Sequence, residues 1–175
     1  MTRSLGGFGF FSVLALLLTT ACNSNPLIVE ITDCPAVGFV RYANALTSFP
    51  EGAVPTANNV AYRAVMSNLD VDCKDRGEGI RTQVAFTITA EPGPMAQQQD
   101  VSMPYFVVIA REGDSLQAKT IYTASVSLSG QDGRGRSRET VEFTIPTNEL
   151  ADTYLYELLI GFELSNTQAR YNLES

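Results

Sequence analysis

Not one of the 175 residues is a histidine or a tryptophan. The first absence excludes Ser-His-Asp and Cys-His catalysis, histidine metal ligation and histidine-based pH switching together. The second removes the best platform for stacking sugars. Charge is sparse, and basic side chains are the minority, 12 against 19 acidic. A net charge of −7 makes a poor binder of polyanions, so no nucleic-acid partner is expected. Glycine-rich phosphate loops, cysteine metal knuckles and internal repeats are also missing. What is present is a chain 45% hydrophobic, too apolar for disorder and of a length that suits one globular domain.

Residues 1–22 read MTRSLGGFGFFSVLALLLTTAC. Arg3 precedes an apolar run from Leu5 to Leu18, and small residues Thr19, Thr20 and Ala21 follow. This is the pattern of a secretory signal. The run is shorter than the roughly 20 apolar residues a membrane-spanning helix needs. Its ending on Ala21-Cys22 resembles the lipobox of bacterial lipoproteins, with Thr19 where that family usually carries Leu. The resemblance implies cleavage before Cys22, a diacylglycerol on the Cys22 thiol, and stable anchoring through two or more acyl chains. Asn23 rather than Asp follows Cys22, which in that family's enteric sorting rule implies the outer membrane, facing the periplasm. The expected organisation is a cleaved signal over 1–21, a lipidated tether over 22–33 and one folded domain over 34–175.

With Cys22 given to lipid, Cys34 and Cys73 remain. An even remainder in an exported chain reads as one disulfide. Closing a loop of 39 residues is worth about 4 kcal/mol on the chain-entropy model. The alternative, a catalytic thiol, would have no histidine to activate it.

The rest of the chain alternates with period two. A first strand is expected at Val37–Tyr42, then a loop rich in Pro, Gly and Asn over 48–59. Val60, Tyr62, Ala64 and Met66 share one parity and Leu69, Val71 and Cys73 the other, which predicts a bulge at Ser67-Asn68. Ile80 to Ala90, Leu116 to Leu128, Val141 to Ile145 and Tyr156 to Leu164 alternate cleanly. Tyr105 to Ala110 is continuously apolar, as a strand covered on both faces would be, and Pro104 puts its start at a sheet edge. Glu112-Gly113-Asp114 and Gln131–Arg136 read as hairpin connections, and Ala169, Tyr171 and Leu173 as a last short strand.

Seven or eight strands without intervening helices predict an all-β, antiparallel sandwich. Residues Leu150-Ala-Asp-Thr-Tyr-Leu-Tyr156 resemble the tyrosine corner before the penultimate strand of immunoglobulin-like and fibronectin type III domains. There a Leu six residues ahead plugs the core and the Tyr hydroxyl bonds back to the chain; Leu150 and Tyr156 match that spacing. The resemblance implies an immunoglobulin-like β-sandwich and no activity.

Four features carry possible chemistry. Gly113-Asp114-Ser115-Leu116 resembles the Gly-Asp-Ser-Leu box of an esterase family, but no histidine exists to serve as its base, which leaves a hairpin turn. Asp70, Asp72, Asp75 and Glu78 offer oxygen ligands for Ca²⁺, although Lys74 and Asp75 break the EF-hand register; the alternative is a solvated acidic loop. Arg134, Arg136 and Arg138 read as one flexible loop suited to phosphates or an acidic partner, the alternative being a mobile hairpin tip. The polar loop from Glu91 to Asp100 reads as an exposed recognition loop. Taken whole, the chain resembles small envelope lipoproteins of Gram-negative bacteria. The expectation is a non-enzyme without cofactor, held to the membrane by lipid and docked on another envelope protein through loops or a strand edge, Pro104 being one such edge. The other expectation is a periplasmic module for a small ligand: glycan, lipid or calcium.

Overall fold

The computed structural model describes residues 34–174 apart from 78, 98, 113, 114, 130, 131, 146, 148 and 149. The signal, Cys22 and the tether lie outside the described residues. Among the described residues there are eight strands: β1 Ala36–Phe39, β2 Ala45–Ser48, β3 Tyr62–Asp75, β4 Ile80–Pro92, β5 Asp100–Arg111, β6 Ser115–Ser127, β7 Gly135–Ile145 and β8 Tyr156–Phe162. One helix, α1, spans Asn166–Glu174, and 3-10 turns occupy Ala57–Asn59 and Leu150–Leu155. The strands form two four-stranded sheets, ordered β1-β8-β5-β6 and β2-β3-β4-β7. Every neighbouring pair is antiparallel except β1 with β8. The all-β, two-sheet reading holds.

Period-two patterning explains the strands that carry the core. On β4, Ile80, Thr82, Val84, Phe86, Ile88 and Ala90 are all at most 1% exposed, as their alternation predicts. The buried Thr82 hydroxyl is satisfied by donating to Cys73 Sγ at 3.6 Å. The β3 bulge falls where the parity changes. Asn68 and Leu69 together face Phe86 alone, because the register jumps from Ser67–Thr87 to Asp70–Ala85. Asn68 takes the left-handed conformation there, φ 54°. The extra residue turns Leu69, Val71 and Cys73 toward the core after Ala64 and Met66.

Ring contacts and a disulfide join the sheets. The Phe86 ring meets Phe39 of β1 and Tyr105 of β5 edge-on, with centroids 6.0 and 5.4 Å away. Edge-to-face geometry suits the ring quadrupoles and adds to the area they bury. The expected disulfide is formed: Cys34, just before β1, is bonded to Cys73 on β3, with Cα atoms 5.4 Å apart. It ties one sheet to the other at the point where the chain enters the domain.

Several expectations need correction. β5 starts at Asp100, not at Pro104, and it is an interior strand between β6 and β8. The Pro104 carbonyl accepts from the Glu163 N–H at 2.9 Å, just past the end of the β8 ladder. In an antiparallel strand the N–H and C=O of one residue point the same way, so the missing proline N–H takes no bond from β6. Phe106, Val108 and Ala110 are only half-buried, so β5 is covered fully on one face alone. On β6 the inner positions Ala124 and Val126 are buried, as is Leu128 just past the strand, but Ala118 is exposed, and a register shift at Gln117 sets the exposed Leu116 opposite Ala110 on the outer face. β7 closes on β6 at the Ser127 end, where a Cβ at Gly135 would lie 2.0 Å from the Ser127 carbonyl oxygen. β2 lies where no strand is expected, because four residues are too few for periodicity to register.

The final strand expected at Ala169–Leu173 is helix α1 instead. Ser165 and Gln168 form a reciprocal capping box: the Ser165 N–H donates to Gln168 Oε1 at 2.8 Å and the Gln168 N–H to Ser165 Oγ at 3.3 Å. Tyr171 docks edge-on against Phe49 at 5.1 Å. Asn172 Nδ2 donates to the carbonyls of Tyr42 and Ala45, both at 2.8 Å. Tyr156 therefore opens the last strand rather than the penultimate one.

Candidate functional site

The residues singled out from sequence are dispersed, and most are neutralised. Arg136 and Arg138 are not in a loop. They sit on β7, paired in register with Thr89 and Thr87 of β4, and only Arg134 precedes the strand. All three are exposed at alternate positions, so they form a row on the outer face of one sheet. Arg134 pairs with Glu91 at 2.9 Å and Arg138 with Asp70 at 3.5 Å. A hairpin tip is thus replaced by an exposed row in which two of the three charges already have partners.

The acidic cluster likewise fails to assemble into a cation cage. Asp70 and Asp72 project from the exposed side of β3, one pairing with Arg138 and the other with Lys74 at 3.0 Å. Asp75 Oδ1 accepts from the Gly77 N–H at 2.7 Å, closing the hairpin turn. Glu78 lies outside the described residues, and among those described no three acidic, Cys or His side chains are placed to hold a metal. Gly113 and Asp114 are also outside; Ser115 pairs with Arg111 across the β5–β6 hairpin, not in a strand-to-helix turn. Tyr156 is buried beneath Arg111, whose guanidinium lies 5.6 Å from the ring centroid. Its hydroxyl makes no hydrogen bond among the described residues, and the Leu150 side chain lies outside them.

The loop from Glu91 to Asp100 is tied down rather than free. The Gly93 and Met95 N–H groups donate to the Ala61 and Val60 carbonyls at 2.8 and 2.9 Å. A Cβ at Gly93 would meet the Val60 carbonyl oxygen at 2.2 Å, so this approach needs glycine. Met95 and Gln97 then line a shallow groove of about 280 Å³ with Phe49, Glu51 and Tyr62.

The most distinctive surface is one that sequence located in the wrong place. β6 is the edge of its sheet, paired with β5 along Ser115–Ser127, with no strand hydrogen-bonded to its other side among the described residues and β7 approaching only near Ser127. Natural edges are usually protected by charges, proline or bulges. β6 has a register shift beside Gln117 and a single charge, Lys119. That charge is engaged: Lys119 Nζ lies 2.9 Å from Glu163 and 4.9 Å over the Phe106 ring. Leu116 and Ile121 are 64% and 56% exposed. Ile121 opposes Phe106, while Val108 lies between Lys119 and Leu159, so the edge continues into an apolar outer face on β5 and β8.

Behind this edge, the seam with β7 is closed by a polar contact. The buried Tyr105 hydroxyl donates to Glu139 Oε2 at 3.2 Å, and the Ser137 hydroxyl also donates to that carboxylate. Burial, and then the Glu139 charge beside it, push the Tyr105 phenol well above its ordinary range. Tyr105 stacks on Tyr122 of β6 with centroids 5.4 Å apart. A phenol held protonated is a fixed donor, and here it locks β5 to β7. No helix among the described residues is long and apolar enough to cross a membrane. No family model, curated protein or solved structure matches this chain.

Proposed function

We propose that this chain is a lipid-anchored protein of the bacterial cell envelope that acts without catalysis, as an assembly module receiving a strand from another envelope protein along β6. The single observation that carries the docking reading is the edge itself: a strand of 13 residues, approached by β7 at its Ser127 end, with one charge that is already paired and two exposed large apolar side chains. Strand addition draws affinity from main-chain hydrogen bonds and specificity from alternate side-chain contacts, and this edge offers both. The envelope reading rests on the signal pattern of residues 1–21 and the lipobox-like Thr19-Thr20-Ala21-Cys22. A disulfide between Cys34 and Cys73 fits an oxidising compartment such as the periplasm. Anchoring at the outer membrane, facing the periplasm, belongs to the same reading through Asn23.

The immunoglobulin-like comparison is supported by two four-stranded sheets on one core and by a buried Tyr156 at the start of β8. Its strand order and terminal helix are its own. A photoreactive residue at Thr120 of β6, in the full-length protein in cells that produce it, is expected to capture one protein partner. The same probe at Thr140 of β7 is expected to capture none. Equal capture at the two sites, or none at either, would overturn the docking reading. Palmitate incorporation that survives Cys22→Ala would overturn the anchor.

A further inference from the structure

We infer that the groove between α1 and the β1–β2 corner binds a small anionic ligand, one phosphate or carboxylate carried on a sugar-sized ring. The groove has a volume of about 380 Å³ and is lined by Arg41, Tyr42, Ala45, Arg63, Tyr171 and Asn172 among others. That volume lies at the lower end of small-molecule sites, which suits one ring rather than a chain. Two arginines line one space, on a chain with an excess of acidic residues.

Three arginines elsewhere on this surface are neutralised: Arg81 by Glu142 at 2.6 Å, Arg134 by Glu91 and Arg138 by Asp70. Arg41 and Arg63 have no carboxylate partner among the described residues. The case of Arg63 is telling. Glu91 stands directly across the strand pair from it, yet the Glu91 carboxylate is held by Arg134 at 2.9 Å. Thr47, on its other side, is uncharged. Arg41 lies over the Tyr42 ring at 4.9 Å, which holds the guanidinium in place while leaving its N–H fork available to a planar anion. Bidentate pairing of this kind is the strong, directional way to hold a carboxylate or phosphate.

The corner is also built to keep its shape. Tyr42 adopts the left-handed conformation, φ 65°, which a non-glycine residue holds only where its surroundings enforce it. Asn172 enforces it from α1 by bonding the carbonyls of Tyr42 and Ala45, and Tyr171 wedges the helix against Phe49. The helix contributes Tyr171 and Asn172 to the wall, so the capping box at Ser165–Gln168 serves the site as well as the fold. The groove lies beside β1, at the opposite side of the sheet from the β6 edge, and so is independent of strand docking.

Isothermal titration of detergent-solubilised full-length protein tests this with four probes: glucose 6-phosphate, glucuronate, uncharged glucose and inorganic phosphate. Glucose 6-phosphate or glucuronate is expected to bind, the stronger of the two naming phosphate or carboxylate as the anion. Glucose and phosphate alone are expected to bind at least tenfold more weakly. Arg63→Ala and Arg41→Ala should each weaken the preferred probe about tenfold without lowering the melting temperature, and Arg81→Ala should leave it unchanged. Absence of binding by both charged sugars overturns the proposal, as does equal affinity in Arg63→Ala and Arg41→Ala. Phosphate binding as tightly as the sugar phosphate overturns the ring-sized body. If Arg63→Ala lowers the melting temperature, Arg63→Gln supplies the comparison on a folded protein.

Discussion

The outer faces of the two sheets invite comparison, because the sheets share one core and differ on the side turned away from it. Outside β3, β4 and β7 the charges are cross-linked, Asp70 with Arg138, Arg81 with Glu142 and Glu91 with Arg134, among threonines 87, 89, 140 and 144. Outside β8, β5 and β6 the surface is Leu159, Phe106, Val108 and Ile121, crossed by the one pair Lys119–Glu163. The first face satisfies itself and gains little from contact. The second ends at a lightly protected strand and gains by being covered. Inner-face alternation sets stability for both sheets, while the outer face sets what each can do.

The sharpest way to break the comparison is to break the shared core. Phe86→Ala removes the ring that touches both β1 and β5 and is expected to cost about 3–5 kcal/mol in denaturant unfolding. Both sheets should be lost in one transition. Replacing Cys34 and Cys73 together by Ala should cost about 2–4 kcal/mol, read the same way against the oxidised protein. Ile121→Lys separates the faces: stability should move by no more than about 0.5 kcal/mol. Partner capture along β6 should nonetheless fall about tenfold, whereas Thr140→Lys on the charged sheet should leave it intact.

Tyr105→Phe probes the seam. It should cost about 1 kcal/mol at neutral pH through the lost bond to Glu139. The folded-state pKa of this phenol is raised, so its contribution is whole below pH 10, the ordinary tyrosine value, and declines as pH rises above it. Wild-type protein should therefore lose stability above pH 10 more steeply than Tyr105→Phe, as pH-dependent melting would show. The smallest effect is expected from Arg138→Ala: at most about 0.5 kcal/mol, vanishing in high salt, because the Asp70 pair is exposed.

Legibility differed between regions for physical reasons. The inner face of β4 and the β3 bulge could be read directly, because a strand with one buried face must repeat every two residues and one extra residue inverts the parity. The arginine row was misplaced because Gly130 to Arg138 has the composition of a turn, yet from Gly135 onward β4 supplies a full ladder of partners. Ala118 lies at the exposed end of β6, and the register shift at Gln117 sets Leu116 opposite Ala110 on the outer face, so alternation overstated their burial. At the C-terminus, Ala169, Tyr171 and Leu173 mimic a strand. The signal for a helix lies instead in the Ser165–Gln168 capping box just ahead of them. The groove at Arg41 and Arg63 had no sequence signature, since its residues come from three separated segments.

By itself the sequence determined the class of fold, the position of the longest strands, the bulge and the cysteine pairing, all of which follow from local periodicity and residue count. Tertiary structure alone decided which strand became the open edge, which arginines found carboxylates and which did not, and that the chain ends in a helix. These are matters of who lies beside whom. Pairing partners distant in the chain are selected by hydrogen-bond ladders and shared core, and neither leaves a mark on any one segment.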